Sequence, residues 1–93
     1  MTIGILRCFL YLPDSDSLKA KRMILHSLKA KLRNKFNIAI AQVDDQDKWQ
    51  KATVACVGIE PNGASVNETL SEVVNYMQAF PGVLLLDYEI ELL

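Results

Sequence analysis

Soft-metal and redox chemistry have little to work with in this 93-residue chain, which holds two cysteines, Cys8 and Cys56, and a single histidine, His26. The cysteines form no Cys-x-x-Cys spacing and sit inside apolar runs, so neither a zinc site nor a redox motif is indicated, and both read as small core residues. His26 has no second imidazole with which to complete a metal site. Long hydrophobic runs are missing too. Arg7 interrupts the N-terminal apolar stretch and Asp87, Glu89 and Glu91 the C-terminal one, well short of the roughly 20 residues that cross a bilayer. No basic segment precedes an apolar stretch with a small-residue cleavage site, which makes the cytoplasm the default expectation. With 51% hydrophobic and 23% charged residues the composition is that of a globular protein, and the length suits one domain, residues 1–93, around one core.

The periodicity of what is present changes along the chain. Ile3 to Leu12 is aliphatic and aromatic on both alternating faces, as in a central strand. Pro13 to Ser17 supplies a turn and helix N-caps, after which Leu18, Lys21, Leu25, Leu28 and Leu32 recur at helical spacing and predict a helix from about Leu18 to Lys35. Phe36 to Val43 and Lys51 to Ile59 read as strands joined by the polar hairpin Asp44 to Lys48. Ser65-Val66-Asn67-Glu68 has the form of a capping box opening a second helix, with Val66, Leu70, Val73, Met77 and Phe80 as its seam and Pro81-Gly82 as its stop. Val83 to Leu92 is the last strand, predicted to place Leu84, Leu86, Tyr88, Ile90 and Leu92 on one face and Leu85, Asp87, Glu89 and Glu91 on the other. The order is β-α-β-β-α-β. Two interleaved βαβ halves with right-handed crossovers give an α+β, ferredoxin-like βαββαβ sandwich, a four-stranded antiparallel sheet of order 4-1-3-2 with both helices on one face. The uncovered face would carry Arg7, Phe9, Tyr11, Leu85 and the terminal acids, apolar enough to suggest a partner such as a second copy of the chain.

Enzyme chemistry known on this topology finds no support in the residues. An acylphosphatase needs a phosphate cradle and an arginine after the first strand, whereas Leu12 to Ser17 carries two aspartates and neither glycine nor arginine. Metallochaperones place paired thiols in that loop, and none is there. Asp44, Asp45 and Asp47 lack the spacing, glycine and distal glutamate of a calcium loop and read as a solvated hairpin. No serine sits in a nucleophile elbow. The strand Lys51 to Ile59 carries no aromatic residue and no match to the RNA-recognition signature. A non-enzymatic protein without cofactor or metal is expected.

The charge distribution points elsewhere. Residues 1–35 hold eight basic side chains against two acidic ones, a net of +6, and residues 36–93 hold two against nine, a net of −7. On the first helix Lys19, Arg22, His26, Lys29 and Arg33 form a stripe one position beyond the apolar seam, suited to a phosphate backbone. Lys19, Lys21 and Arg22 oppose the helix dipole in the first turns, and Lys21 interrupts the seam itself. Two explanations stand side by side. Either Lys21 reaches Asp14, Asp16 or Asp44 and the stripe is a solvated face, or Lys19, Lys21, Arg22, Lys29 and Arg33 bind RNA phosphate. Trp49 and Gln50, with Phe9 and Tyr11, are candidates for base stacking or partner contact. The alternative reading is a homodimeric or small-ligand module using the open sheet face.

Ser17-Leu18-Lys19-Ala20-Lys21-Arg22, Phe36-Asn37, Val43-Asp44 and Trp49-Gln50 together make nearly the whole chain resemble the YlxP-like family of small bacterial proteins, classed as a domain of unknown function. The resemblance implies a ferredoxin-like fold and, from the family's setting among translation and ribosome-maturation factors, a link to RNA or ribosomes. Relatives often carry glutamate where this chain has Ala20, so the reciprocal half of a capping box with Ser17 is missing.

Overall fold

A computed structural model describes all 93 residues, Met1 to Leu93. Six elements follow one another: β1 (Thr2–Tyr11), α1 (Leu18–Lys35), β2 (Ile38–Asp44), β3 (Lys51–Glu60), α2 (Gly63–Gln78) and β4 (Leu84–Leu92). The strands form one antiparallel sheet of order β2-β3-β1-β4, the ferredoxin-like arrangement read from the sequence. No helix is long and apolar enough to cross a membrane. Alternation along β1 turns Leu6, Cys8 and Leu10 to the helices, where they meet Ala52, Val54 and Cys56 of β3 and form the centre of the core. Cys8 and Cys56 are both buried free thiols on neighbouring strands, each held up at about 12 by burial, Cys8 also by its nearness to Cys56.

Helix α2 packs on β1, β3 and β4 through Val66, Leu70, Val73, Val74 and Met77, and it comes unusually close at Gly4. A Cβ there would meet Leu70 Cδ1 at 2.8 Å and Val66 Cγ2 at 2.9 Å, and Gly58 lies directly across on β3. The two glycines form the notch in which the first turns of α2 rest. Helix α1 packs on β2 and α2 and buries Lys21, Leu25, Leu28 and Leu32. Ser17 is its N-cap, accepting from the Ala20 N–H at 3.0 Å.

The structure corrects the sequence reading in three places. Asn62, and not Ser65, caps α2, since its side-chain oxygen accepts from the Ser65 N–H at 2.9 Å, so the helix begins earlier, at Gly63. The same helix ends at Gln78, which leaves Phe80 beyond its last turn but still packed on the core. A β-bulge in the β1–β4 ladder at Phe9/Leu10 puts Leu85 opposite Leu10, on the core side, and leaves Leu84 and Leu86 exposed. Leu85 is therefore no part of the open face, where Ile5, Arg7 and Phe9 instead lie opposite Glu91, Glu89 and Asp87.

Candidate nucleic-acid interface

The first helix carries a basic stripe and no acidic residue. Lys19, Arg22 and His26 are exposed and Lys29 is half-buried, and together with Met23 and Gln42 they border a groove of about 430 Å³ between α1 and the edge strand β2. No carboxylate lines it. Of the two ion pairs in the protein, Arg7 with Glu91 at 3.1 Å and Lys48 with Asp45 at 3.3 Å, neither involves α1. Arg33 continues the stripe but is tethered, with Nη2 donating to the Ile40 carbonyl of β2 at 2.9 Å. Lys31 and Lys35 turn the other way, with their ammonium groups 5.4 Å from the Phe80 ring and 5.6 Å from the Tyr76 ring.

Lys21 is placed differently from its neighbours. Only 2% exposed, it fills the seam position between Leu18 and Leu25 and sends Nζ to the backbone carbonyls of Asp45 and Lys48 in the β2–β3 hairpin. This position takes Lys21 out of the anion-binding set. Its partners are carbonyls of the hairpin, and the carboxylates of Asp14, Asp16 and Asp44 are not among them. Burial pulls its pKa below the usual lysine value of 10.5, while Asp45 and Asp47 partly offset that pull. The carbonyls it satisfies belong to a turn in which Asp45 adopts a left-handed backbone, φ 64°. Asp45 is also gripped by its side chain, which accepts from Thr53 Oγ1 at 3.0 Å, and this bond and Lys48 hold its carboxyl below the usual value of 3.8. One buried lysine thus fixes the shape of the hairpin against the first turns of α1.

That hairpin presents Trp49, which is 57% exposed. Between it and the β1–α1 loop runs a second cleft, of about 540 Å³, with Tyr11, Asp14, Asp16, Gln50 and Lys51 on its walls. Phe9 lies apart, on the open sheet face opposite Thr53 and Asp87. On the β2–β3 half of that face, Ala39, Ala41, Val43, Ala55 and Val57 make a wholly apolar surface.

Comparison of the chain with known proteins adds the family. The family described as "Protein of unknown function (DUF503)" matches residues 3–90. The chain belongs to it. The chain is also similar to the "Uncharacterized protein YlxP" of Bacillus subtilis (strain 168), 28% identical over 81 residues that cover 87% of this chain and 88% of the relative. For this DUF503 member, then, fold and family agree with the sequence reading.

Three contributors to the sites of this DUF503 chain escaped that reading. Gln42 and Met23 border the basic groove, yet nothing in their local pattern separates them from ordinary strand and helix surface. Thr53 is buried on β3 and orders the hairpin through Asp45, eight residues away, a contact that the irregular β2–β3 register brings about. No group of three or more histidine, cysteine or acidic side chains converges anywhere in the protein.

Proposed function

We propose that the chain is a non-enzymatic RNA- or ribosome-associated protein that lays the groove between α1 and β2 along a phosphate backbone. The observation that carries this reading is the row Lys19, Arg22 and Lys29, unpaired with any acid and bordering a groove without carboxylates. Lys19 and Arg22 cost local stability, since cations in the first turns oppose the helix dipole, and an external polyanion would reverse that cost. Arg33 extends the contact from its tether on β2, and Lys21 acts from inside as a positioning residue. The test is binding to a structured RNA as salt is raised. Three phosphate contacts give a slope of log K against log salt of about −2 to −3. Replacing Lys19, Arg22 and Lys29 together by alanine should remove most of that slope and of the affinity. Salt-insensitive binding, or binding untouched by the triple change, would refute the proposal.

A second reading, a homodimer through the open face, is favoured by the apolar surface of Ala39, Ala41, Val43, Ala55 and Val57, with Val57 41% exposed. A second copy would cover it by stacking sheet on sheet at the β2–β3 half, because the β1–β4 half carries Asp87, Glu89 and Glu91 against the single Arg7. Light scattering over a concentration series decides this. A mass of one chain at high micromolar concentration would exclude the dimer.

A further inference from the structure

We infer that the cleft under Trp49 is a binding site for an unpaired nucleobase carrying an exocyclic amine. Its walls are built before any ligand arrives. Leu12 N–H donates to the Gln50 carbonyl at 2.8 Å and Gln50 Nε2 to the Pro13 carbonyl at 3.2 Å, which ties the hairpin to the β1–α1 loop. Ser15, 1% exposed, locks that loop from within by donating its hydroxyl to the Ser17 carbonyl at 3.1 Å. Across the cleft, Lys21 fixes the turn from which Trp49 projects. An indole more than half in water gains the fold little, and a desolvated lysine is an expensive way to hold a loop of no consequence. The two observations together mark the loop's shape as the thing being maintained.

The chemistry of the walls selects the ligand. A flat, exposed indole stacks on any base. The carboxylates of Asp14 and Asp16 accept hydrogen bonds only, so they favour a ring edge that donates, as the amines of cytosine and adenine do. Phosphate is not favoured. Lys48 is turned to Asp45, which leaves Lys51 alone to balance two acids, so the cleft suits a neutral ring and is distinct in charge from the basic groove.

This inference does not rest on the groove reading, and nucleosides, which carry no phosphate, test it separately. Trp49 is the only tryptophan, so its fluorescence reports the cleft directly. Cytidine and adenosine should quench it saturably in the millimolar range, with uridine and inosine weaker by about threefold to tenfold, and Asp14→Asn with Asp16→Asn should erase that preference. Trp49→Ala, read by amide shifts at Gln50, should weaken cytidine by about tenfold. Oligocytidylate in high salt distinguishes the source of the base. A gain of about tenfold or more over cytidine assigns the site to bases within RNA, and equal affinity assigns it to free nucleosides. No quenching up to the solubility limit, equal response to uridine and cytidine, or preferential response to arginine amide, the mark of a cation–π site, would each overturn it.

Discussion

Helix α2 presents an unbroken seam of Val66, Leu70, Val73 and Met77, whose first two residues seat in the notch left by Gly4 and Gly58, whereas α1 interrupts its own seam with Lys21 and ties itself to the hairpin and to β2 through polar bonds. Both helices lie on the same face of one sheet. Apolar packing is strong but shape-blind beyond the contact itself, while a buried ammonium on two named carbonyls dictates a loop conformation. Leu25, Leu28 and Leu32 give α1 its own share of the core, and the contrast adds to α1 the setting of surface geometry. Of the two helices only α1 carries lysine or arginine, and the exposed indole of Trp49 stands on the hairpin that α1 holds.

Three changes would break or sharpen this division, in falling order of effect. Leu70→Ala removes the centre of the α2 seam and should cost about 2–5 kcal/mol in urea unfolding. Lys21→Ala strands the Asp45 and Lys48 carbonyls and should cost about 1–3 kcal/mol. Lys21→Met refills the volume and should recover much of that global stability, yet amide exchange at residues 45–50 should stay fast, because no donor returns to the turn. If exchange there were as slow as in the parent, the lysine would not be the element that orders the hairpin. The smallest effect is set by pH. Asp45 has a folded pKa below its usual value of 3.8, so its contribution is complete above that value and is lost as pH falls through the folded one. Exchange at the hairpin should quicken in that acid window before α2 responds, and Asp45→Asn should flatten the dependence.

The parts of the fold written in local periodicity were readable in advance. The spacing of Leu18, Leu25, Leu28 and Leu32 gives α1 its bounds, Leu18–Lys35, and the apolar residues on both faces of Ile3 to Leu12 mark β1 as a central strand. Features that depend on a partner strand were not. Nothing in Leu84 to Asp87 signals a bulge, whose position is fixed by how β4 meets β1, so the faces of Leu84, Leu85 and Leu86 were misassigned. Asn62 and Ser65 are both capping residues, and the choice fell to Asn62 because Gly63 and Ala64 extend the helix backwards. For the site, the oddity of Lys21 stood out as a broken seam, but its partners are main-chain carbonyls far along the sequence, and side-chain chemistry does not reveal such acceptors.

The bond from Arg33 to the Ile40 carbonyl has a bearing on how the molecule behaves in a crowd. Strand β2 lies at the border of the sheet, rich in alanine and isoleucine and free of proline or lysine, the kind of rim onto which another polypeptide can add itself rung by rung. A guanidinium seated on one of its outward acceptors occupies a rung. Loss of that one side chain would leave the Ile40 carbonyl open to an incoming strand.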